Sequence, residues 1–112
     1  MGRKSPFGDD RSMNVVVVAH CILNPNTKVA GLSTKERMEA SRRLLELLLS
    51  HHVGIVQMPC PEFTYLGGFR PKQTKNQYDS VGYRRHCRAI ATQVLDMVEN
   101  MSRAGIETVC LI

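Results

Sequence analysis

Two cysteines carry the chemistry this sequence is best placed to do. Cys21 and Cys60 each stand in a turn-rich segment directly after a short apolar run, Asn14 to Ala19 and Gly54 to Met58 respectively. A thiolate is both a nucleophile and a soft metal ligand. If the two runs are neighbouring strands about 4.8 Å apart, both thiols end at one edge, close enough to share a metal or a cluster. The other reading is two small buried hydrophobes, a role free cysteine often fills. Glu62 follows Cys60 by two residues and could act there as a general acid or base, or be a solvent-exposed loop carboxylate. His20 abuts Cys21 and is either a ligand or proton donor or a structural strand-end histidine. Gly67 and Gly68 permit close backbone approach, and Arg70 with the basic residues after it could hold an anionic ligand. A solvated basic face is the plainer reading of those charges. The C-x-x-C and H-x-x-x-H zinc spacings, the P-loop and G-x-G-x-x-G do not occur.

The elements that must position these residues follow from hydrophobic period. Val15 to Val18 is a continuous β-branched run, as in a strand buried on both faces. A helix is expected from Ser33, with Ser33 and Glu36 in capping-box register, to about His51. Its stripe is Met38, Ser41, Leu45 and Leu48, widened by Leu44 and Leu49. Gly54 to Met58 is a second strand, stopped by Pro59-Cys60-Pro61. Residues 59–79 read as a long loop, a length that is usually functional or disordered. A second helix starts at Asp79 or Ser80. It carries Tyr83, Cys87, Ile90, Val94, Val98 and Met101 on one stripe and ends at Gly105, suited to a left-handed C′ position. Ile106 to Ile112 is a third strand. Cys87 on the stripe and Cys110 within the strand read as core packing, and His86 as exposed beside Arg84 and Arg85.

The order β-α-β-α-β implies an α/β fold with a short parallel sheet between helical layers, a flavodoxin- or Rossmann-like half, with strand order 2-1-3. Ligands bind such sheets beyond the carboxyl ends of the strands, which is where Cys21 and Cys60 fall. That placement favours the functional reading of the pair.

Bulk properties narrow the classes. The chain has 112 residues with 43% apolar content, which fits one domain over 13–112 after a flexible lead-in over 1–12. The lead-in has no apolar signal region, and no apolar run is long enough to span a membrane, so the expectation is a cytoplasmic protein with reduced cysteines. The net charge of +5 is concentrated in segment 70–88, with six Lys or Arg against the single acid Asp79. One alternative is therefore a non-enzymatic nucleic-acid-binding module using that segment. The lack of interleaved aromatics for base stacking counts against it. Another alternative is a zinc or thiol site without iron.

Several segments together resemble the thiouracil desulfidase (TudS) family, closest to a branch long catalogued as domains of unknown function. They are His20-Cys21-Ile22-Leu23-Asn24-Pro25-Asn26, Gln57-Met58-Pro59-Cys60-Pro61-Glu62, Tyr65-Leu66-Gly67-Gly68 and Arg70-Pro71, with Tyr78-Asp79, Tyr83-Arg84 and Cys87-Arg88. Cys60-Pro61-Glu62 with the following glycines is the most specific piece. The resemblance implies a 4Fe–4S cluster on three cysteines, with an open iron that takes the sulfur of a small thiolated substrate such as 2-thiouracil. It implies Cys21 and Cys60 as two of the ligands and Glu62 as the acid/base. The family's third cysteine lies in a Ser-Pro-Ser-Cys-Gly-like segment after the third strand. The sequence reaches Ile112 before that segment, and Cys110 does not match it. The expectation is an N-terminal fragment or truncated relative that binds no stable cluster alone. A three-strand sheet leaves open edges, which further strands or a partner copy in a homo-oligomer would cover.

Overall fold

The computed structural model describes residues 5–28, 30–67 and 80–112. The chain runs β1 (Asn14–Ala19), α1 (His20–Leu23), a 3₁₀ turn (Pro25–Thr27), α2 (Lys35–Ser50), β2 (Gly54–Met58), α3 (Pro61–Leu66), α4 (Val81–Arg103) and β3 (Glu107–Leu111). The sheet is parallel throughout with order β2-β1-β3, as the alternating pattern predicts.

β1 is central because its sequence allows nothing else. Val15 to Val18 are all buried, and Val16, Val17 and Val18 are almost completely so. Four consecutive buried residues require cover on both faces of the strand. On one face Val16 and Val18 form a cluster with Val53, against which Ile22, Leu48 and Ile55 pack. This joins the end of α2 and the start of β2 to the central strand. β2 follows β1 without a break, from Val15 opposite Gly54 to Ala19 opposite Met58. β3 has one irregularity, since Val15 faces Thr108 but Val16 faces Cys110, so Val109 is the extra residue of a bulge.

All six residues of the expected α4 stripe are at least half-buried, and Ile90 is fully buried. The Ser80 hydroxyl accepts from the Tyr83 amide at 3.1 Å and caps the helix. Gly105 takes φ 83 after its end, as expected.

Four expectations need correction. α2 is capped by Thr34, whose hydroxyl accepts from the Arg37 amide, while the Ser33 hydroxyl donates to the Pro25 carbonyl instead. Met38 and Leu49 are exposed, so the buried stripe is narrower than read. The loop expected over 59–79 contains α3, because Pro61 at the first helical position starts a helix as readily as it stops a strand. Cys110 is exposed, because β3 lies at the edge of the described sheet, and Val109 and Leu111 beside it are exposed too. Among the described residues no helix is long and apolar enough to cross a membrane.

Candidate functional site

The register fixes where the cysteines lie. Ala19 and Met58 are Cα partners at the carboxyl ends of adjacent parallel strands, and Cys21 and Cys60 each follow by two residues. Both thiols therefore leave the sheet at the same edge, and both are half-buried. The two exits are tied together, since the Gln57 side-chain amide donates to the His20 carbonyl at 3.0 Å.

Each cysteine opens a short helix. Cys21 lies in the first turn of α1, which continues β1 directly. Cys60 is the N-cap of α3, and its Sγ accepts from the Phe63 amide at 3.4 Å. Pro61 suits the first helical position, where no amide donor is needed. Glu62 lies in the first turn, where the helix dipole favours a carboxylate, and is half-buried. A spacing of two from Cys60 thus places Glu62 on a formed helical turn rather than in a loop.

His20 is orientated by Thr27. The Thr27 hydroxyl donates to the Asn24 carbonyl at 2.8 Å and lies 3.2 Å from His20 Nδ1. With its one proton committed, the hydroxyl accepts from Nδ1–H, which leaves Nε2 with the lone pair in the neutral ring. Thr27 is buried, so this arrangement is anchored in the protein. The sequence signal for it was Asn24-Pro25-Asn26, a turn that folds Thr27 back over His20.

Gly67 ends α3 at φ 87 and ψ −179, a conformation that is nearly exclusive to glycine. Gly68 and Arg70 lie outside the described residues, as do Lys72, Lys75 and Asp79. Arg84, Arg85 and Arg88 are exposed on α4. His86 is not exposed as expected but half-buried against α3. Apart from the cysteine edge, Asn14, Val16, Leu48, Val53, Glu107, Val109 and Cys110 line an open groove of about 570 Å3. It runs towards the amino ends of the strands, opposite the edge where such sheets bind ligands.

The donor set does not by itself complete an iron–sulfur site. Among the described residues no three His, Cys, Asp or Glu side chains gather around a common point. Cys110 pairs with Val16, three residues short of the edge, about 10 Å along the strand. Cys87 belongs to the α4 stripe. Cys21 and Cys60 make a soft pair, but a three-cysteine cluster needs a further donor.

A family profile described as "Putative 2-thiouracil desulfurase" matches residues 13–105. The chain belongs to that family. An uncharacterized protein of Methanocaldococcus jannaschii is 34% identical over 93 residues, which is 83% of this chain and 58% of the relative. The chain thus spans less than two-thirds of that relative's length. No solved structure was found to match it. In the 2-thiouracil desulfurase frame, the matched region contains both edge cysteines, His20 and Glu62.

Proposed function

We propose that this domain is part of a desulfidase that replaces the thiocarbonyl sulfur of a small thiolated nucleobase, such as 2-thiouracil, with oxygen from water. The net reaction consumes the thiobase and one water and yields the oxo-base and hydrogen sulfide, with no external oxidant or reductant. The observation that carries the reading is the in-register exit of Cys21 and Cys60 at one sheet edge, in a chain of the 2-thiouracil desulfurase family.

In this reading Cys21 and Cys60 are two of three thiolates on a 4Fe–4S cluster, and a thiophilic iron is the chemistry such a group supplies for sulfur. The third donor comes from outside the described residues. β3 reaches the same edge as Cys21, since the Ile112 carbonyl accepts from the Ala19 amide at 2.8 Å. The role of Glu62 is to move a proton between water and the departing sulfur. Gly67, at the end of α3, is a candidate substrate contact, and the sequence adds Gly68 and Arg70 as further candidates.

The test is anaerobic reconstitution of the chain with iron and sulfide, with and without a small thiol as substitute third ligand. The expected result is negligible loading without the thiol. With it, iron and sulfide load and 2-thiouracil is converted to uracil and sulfide. Cys21→Ala and Cys60→Ala should each abolish loading. Stoichiometric four-iron loading without added thiol would overturn the two-of-three assignment, and full loading in either variant would remove that cysteine from it. A loaded protein that releases no sulfide from thiolated pyrimidines would overturn the desulfidase reading.

A further inference from the structure

α3 has six residues, too few to persist on its own local hydrogen bonds. Yet its N-cap is Cys60 and its first turn holds Glu62. Something outside α3 must hold it, and the contacts lead to one turn of α4.

The Thr64 hydroxyl lies 2.6 Å from His86 Nε2 and 2.8 Å from the Cys60 carbonyl. The hydroxyl has one proton. If it pointed at His86, it would face the Cys60 carbonyl with two oxygens and no hydrogen between them. Both contacts are satisfied only when Thr64 donates to Cys60 and accepts from His86 Nε2–H. The Cys60 carbonyl also receives the Thr64 amide at 3.1 Å. A side chain of α4 is thus linked through one hydroxyl to the backbone of a site cysteine.

The neighbouring aromatic contacts act in the same direction. The Tyr65 ring meets Tyr83 edge-on at 5.3 Å and lies tilted over His86 at 5.4 Å. Its hydroxyl occupies the space above Gly82, where an added Cβ would approach to 2.7 Å. The first turns of α4 are therefore shaped to receive α3.

We propose that His86 is a positioning residue for the site: through Thr64 it fixes α3, and with it the placement of Cys60. His86 touches no reacting atom in this account. The proposal concerns the placement of Cys60 and draws on the desulfidase reading only for its functional consequence. Its test reads thiol reactivity without a cluster or substrate, so either can fail without the other.

The experiment is alkylation of the reduced chain with iodoacetamide, followed by peptide mapping, so that Cys60 and Cys21 are timed in one sample. His86→Ala should speed alkylation of Cys60 by about fivefold, the factor that one net hydrogen bond carries, with Cys21 changed less than about twofold. His86→Gln, which restores an amide donor, should return Cys60 towards the parent rate. Thr64→Val should reproduce the His86→Ala effect, and the double variant should add little to either, as expected for partners in one bond. Unchanged Cys60 reactivity in both His86→Ala and Thr64→Val would overturn the proposal. So would a parallel rise at Cys21 and Cys60, which signals general loosening, or a Gln variant as reactive as the Ala variant.

Discussion

The two long helices end on the same backbone motif with different residues at its critical position. After α4, Gly105 adopts φ 83, its amide donates to the Ser102 carbonyl at 3.0 Å, and the Ile106 amide reaches the Met101 carbonyl at 2.9 Å. After α2, His52 adopts φ 56, its amide donates to the Leu49 carbonyl at 3.0 Å, and the Val53 amide reaches the Leu48 carbonyl at 3.1 Å. Both are Schellman motifs, whose C′ position favours glycine. The motif at His52 is locked because the next residue, Val53, is buried with Val16 and Val18 while Leu48 packs on the same cluster. A left-handed residue other than glycine costs about 1–2 kcal/mol. Glycine removes that cost but adds unfolded-state entropy worth about 0.5–1 kcal/mol. The His52 side chain is exposed, so little packing is lost. His52→Gly should therefore stabilise the domain by about 0.5–1 kcal/mol, a Tm rise of roughly 2–8 °C for a domain of this size. Gly105→Ala is the internal control and should lower stability by about 1 kcal/mol. Its added Cβ would meet only Met13 Cε at an ordinary 3.6 Å, so the loss reports the backbone rather than a clash. Urea titration followed by far-ultraviolet circular dichroism measures both. An unchanged or lowered midpoint for His52→Gly would refute the reasoning.

Other outcomes follow from the same structure. Val18 is completely buried at the centre of the sheet, so Val18→Ala should cost about 2–3 kcal/mol in urea unfolding; a loss below about 0.5 kcal/mol would show that the strand is not covered on both faces. Arg42 holds the Glu39 carboxyl below its ordinary range by side-chain hydrogen bonding. A carboxylate with a lowered folded-state pKa contributes stability above its unfolded pKa and loses it as pH falls through the folded value. The stability gap between parent and Arg42→Gln should thus shrink as pH drops below about 4 and also with added salt, since the pair is exposed. A gap independent of both would refute the ion-pair account. Thermal unfolding of parent and Arg42→Gln across pH and salt checks it.

Some features were plain in the sequence because their causes are local. The valine run of β1 dictated a central strand. The 83, 87, 90, 94, 98, 101 spacing placed the buried side of α4. The matching offsets of Cys21 and Cys60 placed both at one edge once the strands paired in register. What escaped the sequence depends on partners far along the chain or on close competition. Thr34 and Ser33 both offer a capping hydroxyl, and the carbonyl of Pro25 decides between them. α3 is too short to show a period, and Pro61 reads equally as a strand stop or a helix start. The half-burial of His86 comes from Thr64, 22 positions away, so its basic neighbours mislead. The exposure of Cys110 follows from β3 lying at the edge of the described sheet, a property of topology and not of the strand's own residues.

The central claim is that Cys21 and Cys60 leave the sheet at the same carboxyl edge, two residues beyond paired strand ends. A bifunctional bimane that fluoresces only after both arms alkylate thiols tests it without iron, substrate or a third ligand. The expected result is a fluorescent product whose digest joins the Cys21 and Cys60 peptides, lost in Cys21→Ala and in Cys60→Ala but kept in Cys87→Ala and Cys110→Ala. A bridge that instead requires Cys87 or Cys110, or no bridge in the folded protein, would contradict it.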